Sequence, residues 1–159
     1  MAIPHRAPSV TFMKWLDMPP VWLIACLVAA WGLGVLLPSP AFGLWAVWAG
    51  PVLVIAGIVL TVLAVLEFRR AATTIVPGHD PSALITSGIF RYSRNPIYLA
   101  DVAILSGLIL YWNALAALPL VLLFVWILRS RFIMHEERRL MQAFPVAFEE
   151  YKSATRRWL

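Results

Sequence analysis

Four long apolar runs, at about 20–37, 45–66, 97–111 and 115–128, constrain this chain more than any other feature. A hydrocarbon core about 30 Å thick takes roughly 20 apolar residues in helical form, and a spanning segment must satisfy its own backbone hydrogen bonds. The first run, "PVWLIACLVAAWGLGVLLP", lies between Pro19-Pro20 and a "PSPAFG" turn. The second, "LWAVWAGPVLVIAGIVLTVLAVLEF", contains Pro51, which is expected to bend it near its start. The last two runs are shorter and share the turn "YWN" at 111–113, whose aromatic residues suit a membrane interface. With 62% hydrophobic and 13% charged residues in 159, the expected fold is all-α and integral to a membrane. Four transmembrane helices form two hairpins, with a cytoplasmic connecting segment and an amphipathic C-terminal helical arm, in one domain over 1–159.

Charge placement orients that arrangement. All 13 Lys and Arg precede the first run, lie between the second and third, or follow the fourth, whereas 38–44 and 112–114 carry none. The positive-inside rule then puts both termini and the segment 67–95 in the cytoplasm, as in a multi-pass protein of a prokaryotic inner membrane. The net charge of +5 is accounted for by this orientation and by contact with anionic lipid headgroups, so membrane lipids are expected partners and nucleic acid is not. The first run starts near residue 20, ends without a small-residue cleavage site and leads into further spans, so it reads as a retained helix. Cys26, the single cysteine, supports no disulfide framework and reads as a packing residue. No His/Asp/Glu spacing resembles a metal site.

The chain divides into an N-terminal hairpin (about 20–66), a connection, a second hairpin and an arm (129–159), with the polar chemistry in about 75–159. The connection "RRAATTIVPGHDPSALITSGIFRYSRN" is too long for a turn, and loops of that length in compact proteins are usually functional or disordered. Its Ile75, Val76, Leu84, Ile85, Ile89 and Phe90 argue for order. The arm continues the fourth helix to about Phe144, and a second helix runs to about Thr155 with Pro145 in its first turn. Ile133, Leu140, Met141, Phe144, Phe148 and Tyr151 make one apolar face.

Two polar clusters border these helices. In "SRNPIYLAD" Asn95 is placed to cap a helix through its side chain, with Pro96 at the first helical position. The same open N-terminus can face an anion, and Tyr98 and Asp101 fall on roughly the same side. Asp101 sits about one turn inside the third run, where an ionisable group needs a partner or water. Glu136-Glu137, between His135 and Arg138-Arg139, suits either surface ion pairing or a site. Gly32 and Gly34 read as close-packing positions between helices.

Taken together, "LITSGIFRYSRNPIYLA" (84–100) and "EERRLMQAFPVAFEEYKSATRRWL" (136–159) resemble the two signature blocks of the isoprenylcysteine carboxyl methyltransferase and phospholipid methyltransferase superfamily. The first block is matched by Thr86, Ser87, Gly88, Phe90, Arg94, Asn95, Pro96 and Tyr98. The second is matched by Glu136, Glu137, Leu140, Phe144, Phe148, Tyr151, Arg157 and Trp158. The resemblance implies S-adenosylmethionine as methyl donor and a lipophilic acceptor: a prenylcysteine-like carboxylate, a lipid headgroup amine or a small lipophilic thiol. It places Ala83, Leu84, Ile85, Gly88, Phe90, Asn95, Pro96, Tyr98, Glu136 and Glu137 around the donor. It implies Arg131 and Glu137 as the catalytic residues, with Arg131, or Arg129 as its alternative, orienting an acceptor carboxylate. Asn95 stands where the prenylcysteine enzymes usually have His, and Pro145 where the arm usually has Gly. Asn is no general base, so an amine acceptor needs another group, for which His135 is the candidate. Two other classes stay open: an NADPH-dependent membrane reductase of related architecture and a non-catalytic scaffold that keeps the fold.

Overall fold

The computed structural model describes residues 17–39, 41–72 and 83–159. Among these the chain is helical throughout, with no strand. The helices are α1 (Pro19–Leu36), α2 (Leu44–Arg70), α3 (Pro96–Tyr111), α4 (Leu118–Ile127), α5 (Met134–Ala143) and α6 (Pro145–Ala154). A short 3₁₀ turn, Gly88–Arg91, precedes α3, and another, Leu115–Ala117, leads into α4. Three stretches are long and apolar enough to cross a membrane: Pro19–Leu36, Leu44–Arg70 and Leu115–Ala143. α3, at 16 residues, is a shorter apolar helix.

The residues that face inward are mostly small. In α2 the buried positions are Ala46, Gly50, Gly57, Ala64 and Glu67, whereas Trp48, Val52 and Ile55 are exposed. This reversal of a soluble helix's pattern follows from lipid being as apolar as the core: close backbone approach, rather than removal from water, favours association. α2 packs along α3, and an added Cβ on Gly50 would lie 2.6 Å from the Gly107 carbonyl oxygen. α1 rests on α3, on the 115–117 turn and on α4. α3 is therefore the central element, with α1 and α2 each packed on it. The expected N-terminal hairpin forms no comparable α1–α2 seam among the described residues.

Cys26, Ala30, Leu105, Ile109, Phe124, Leu128 and Ile133 form the main core, in keeping with the packing role expected of Cys26. At the far end Asn113 adopts φ 55°, and its Oδ1 accepts a hydrogen bond from the Phe42 N–H at 3.1 Å, tying the two loops there.

The last long stretch departs from a plain helix. Leu128–Ile133 is a π-helical turn between α4 and α5. A wide turn of this kind holds one more residue than an α turn, shifts the register of everything after it, and often occurs at functional sites. The extended fourth helix, its end near Phe144 and the following helix from Pro145 match expectation. The wide turn itself carries no sequence signal. Helix α2 continues through Pro51.

Candidate active site

The polar clusters meet at the end of the bundle where α2 finishes and α3 begins. Pro96 opens α3, and the Asn95 carbonyl accepts the Leu99 N–H at 3.0 Å, as an N-cap residue's should. The Asn95 side chain does not cap the helix, contrary to expectation. Its amide Nδ2 instead donates to the Arg157 carbonyl at 3.0 Å. Residues 155–158 lie against 91–95, and their carbonyls draw the donors of that segment, Asn95 Nδ2 among them. The Arg94 N–H donates to the Arg156 carbonyl at 3.0 Å, and Ser93 Oγ contacts the Arg157 carbonyl at 3.4 Å.

One turn into α3, the phenol of Tyr98 donates to Glu136 Oε1 at 2.7 Å across 38 residues of sequence. Tyr98 is buried, and its ring lies 6.4 Å from that of Phe132 in the wide turn. Glu137, its neighbour, faces two arginines. Arg157 grips it in fork geometry, Nε to Oε1 at 3.0 Å and Nη2 to Oε2 at 2.7 Å, and Arg94 Nη2 stands 3.5 Å from Oε1. The bidentate hydrogen bond to Glu137 holds the Arg157 guanidinium above its ordinary pKa.

The segment before α3 supplies the next wall. Ile85 and Phe90 are buried with Ala64, Phe148 and Tyr151, and Leu84 packs on the same cluster. Tyr151 Oη donates to the Phe90 carbonyl at 2.6 Å, fastening α6 to the 3₁₀ turn. Burial pushes the Tyr151 phenol up from 10.0 to about 12. The unfolded phenol ionises near 10 while the folded one holds its proton to about 12, so this contribution to stability is intact below pH 10.0 and lost as pH rises through about 12. An alkaline melting series should show that loss, and Tyr151→Phe should remove the step.

Of the residues expected to act together, Leu84, Ile85, Phe90, Asn95, Tyr98, Glu136 and Glu137 are gathered at this end by direct contacts, and Ala83, Gly88 and Pro96 by chain connection to them. Arg131 has other company. Its Nη1 pairs with Asp17 at 2.7 Å, and its guanidinium carbon lies 5.3 Å from the centroid of the Trp22 ring. No described hydrogen bond joins it to Tyr98, Glu136 or Glu137. His135 is exposed, and Asp101 is partly buried. Among the described residues no group of His, Cys, Asp and Glu is placed to hold a metal. Three further residues at this end carry no site role in the sequence pattern: Arg94 and Arg157, which lie within the matched blocks, and Glu67. Glu67's only signal was being the one acidic residue in a 27-residue apolar helix.

The model of the phospholipid methyltransferase family matches residues 45–146, from the start of α2 to the start of α6. Two rice proteins, each described as a probable protein-S-isoprenylcysteine O-methyltransferase, from Oryza sativa subsp. indica and subsp. japonica, are 34% identical over 107 residues. Those residues are 65% of this chain and 56% of each relative, so the chain matches little more than half the length of those proteins. No solved structure shows significant similarity. The family match takes in more than half of the chain, both helices that pack around the polar end, and the Tyr98 and Glu136 that meet there: the chain belongs to the phospholipid methyltransferase family of membrane proteins.

Proposed function

We propose that this protein transfers a methyl group from S-adenosylmethionine to a lipophilic acceptor at the cytoplasmic membrane face. The observation that carries the reading is the Tyr98–Glu136 hydrogen bond, which joins the two signature blocks beside the N-terminus of α3. The donor set suits the ligand. Tyr98 takes Glu136 Oε1, and the other carboxylate oxygen can accept from a ribose hydroxyl or an ammonium. The α3 N-terminus, with its free N–H groups, suits a carboxylate. Ala83, Leu84, Ile85, Gly88 and Phe90 provide backbone and apolar surface for the rest, with Asn95 and Pro96 at the helix start.

Held by Glu136, Tyr98 and the start of α3, the donor would supply an electrophilic sulfonium methyl. The chain's own task is to align the acceptor and keep water out. Arg131 is the residue we assign to an acceptor carboxylate, and Asp17 at 2.7 Å is the partner such a carboxylate would replace. Glu137, held by two arginines, keeps the α3 start and the C-terminal segment in register beside the donor.

The same reading extends to the membrane. At about 1.5 Å per residue, α3 is roughly 24 Å long, short of the hydrocarbon core but packed along α2, and we take it as a fourth, slightly short span. The cytoplasmic side is the one holding Arg69, Arg70, Arg91 and Arg94. Residues 1–159 then act as one unit, with the donor held by the half from about 75 onward.

Titrating the purified protein in detergent tests the reading. S-adenosylhomocysteine should raise the melting midpoint in a concentration-dependent way, and Glu136→Gln and Tyr98→Phe should each weaken that response about tenfold, equivalent to the roughly 1.4 kcal/mol of one charge-assisted hydrogen bond. Stabilisation by NADPH alone would overturn methyl transfer in favour of reduction, and no response to either would favour a non-catalytic scaffold.

A further inference from the structure

Glu67 lies in the last turn of α2, outside both polar clusters, and is 7% exposed in the midst of apolar neighbours. Its two carboxylate oxygens are divided between two donors. Ser87 Oγ donates to Oε2 at 2.5 Å, and Arg70 Nη1 donates to Oε1 at 2.7 Å. The Arg70 side chain is 73% exposed, so the buried half of the arrangement is the bond to Ser87. The next residue, Gly88, takes φ 55°, and a Cβ there would sit 2.5 Å from the Glu67 carboxyl carbon. The loop therefore approaches Glu67 as closely as a backbone without a side chain allows. One residue on from Glu67 and two on from Gly88, Phe68 meets Phe90 edge to face at 5.6 Å. Polar and apolar contacts thus fasten the 84–90 segment to the end of a membrane helix.

We propose that Glu67 is a positioning residue: it holds the segment Leu84–Phe90 in its ligand-ready path through Ser87 and Gly88, without touching the ligand itself. This rests on reading that segment as the donor-binding wall. The isolated acid in an apolar helix is otherwise a costly choice, because a buried carboxylate needs partners to offset its desolvation. A Gln in its place keeps one acceptor oxygen but puts an NH2 donor where the second oxygen stood and removes the charge, so the present division between Ser87 and Arg70 is lost. The segment then samples other paths, and a ligand must bind the fraction that is correctly arranged, which weakens apparent affinity by that fraction. Once bound, the segment is ordered again, and the transfer step proceeds from the same geometry.

Expected results follow from that separation. Glu67→Ala should raise the S-adenosylhomocysteine Kd and the donor KM about tenfold, while kcat at saturating donor and the acceptor KM stay within about twofold of the parent. Ser87→Ala should shift Kd in the same direction, the double variant should be no worse than Glu67→Ala alone, Glu67→Gln should be intermediate, and Arg70→Gln should be near the parent. A merely structural role would lower the active fraction and the melting midpoint and leave Kd and KM unchanged, and that result would overturn the proposal. Amide hydrogen exchange needs no ligand and separates this idea from the donor assignment. Exchange across 84–91 should quicken about tenfold in Glu67→Ala while α3 stays protected, and unchanged exchange there would sink the latch even if the parent bound S-adenosylhomocysteine. If the parent binds no S-adenosylhomocysteine while exchange still quickens in Glu67→Ala, the donor assignment and the ligand-positioning role fall together, leaving only the latch.

Discussion

Glu137→Gln should lower the melting midpoint in detergent by the equivalent of about 2–4 kcal/mol and weaken S-adenosylhomocysteine binding with it. The carboxylate is 16% exposed, Arg94 is 9% exposed, and Arg157 is 32% exposed. Removing the one negative charge leaves two guanidinium groups facing each other in a partly buried site. The cost is then the repulsion and stranded desolvation of both arginines rather than the net worth of one ion pair. Arg94 is already short of partners: its Nε and Nη1 are buried and unpaired among the described residues, so Glu137 is the acid that balances it. Glu149 provides the control. Its pair with Lys152 is three residues apart on an exposed face, with side chains 60% and 42% exposed, and Glu149→Gln should change little, since such pairs contribute about 0.3–0.5 kcal/mol. A shift for Glu137→Gln no larger than the Glu149 control would show that the arginines are satisfied elsewhere.

The second large effect lies between α2 and α3. Gly50→Ala places a Cβ 2.6 Å from the Gly107 carbonyl oxygen, and Gly107→Ala places one 2.6 Å from that of Gly50. Helix propensity favours Ala over Gly by about 0.8–1.0 kcal/mol. Against backbone atoms, however, the overlap is relieved only by moving the helices apart, at about 1–3 kcal/mol or more for one methyl. Sterics therefore win, and each variant should melt earlier than the parent. Gly57 repeats the contact, with its added Cβ 2.8 Å from the Ala100 carbonyl oxygen. Gly32 has nothing within 4 Å, so Gly32→Ala should be neutral or slightly stabilising by propensity. If Gly107→Ala melts with Gly32→Ala, the two helices are not in contact through this face.

This contrast shows where sequence reasoning stopped. Of the two glycines expected to pack closely, Gly34 does, a Cβ there lying 3.0 Å from the Ala114 Cβ, and Gly32 meets nothing, while the tightest contacts belong to Gly50, Gly57 and Gly107. Every one of these glycines sits in an apolar helix, and which of them faces a neighbour depends on helix rotation, to which a uniformly apolar sequence is nearly blind. The same blindness hid the wide turn at 128–133. Asn95 was read correctly as the residue before a helix, but its side chain serves the C-terminal segment, a partner 62 positions away that local capping rules cannot name.

Read alone, the amino-acid order determined that the chain is helical and membrane-embedded, because runs of apolar residues of this length admit little else. It also marked the two polar blocks, because charged and amide side chains are conspicuous at the ends of such runs. Only the tertiary structure decided how those groups are shared. Glu136 goes to Tyr98, Glu137 to Arg157 and Arg94, Arg131 to Asp17, and Glu67 to Ser87. The physical reason is that a carboxylate in an apolar bundle takes whichever donor packing brings within about 3 Å, and that distance is set by helix rotation, by one wide turn and by three glycines rather than by spacing along the chain.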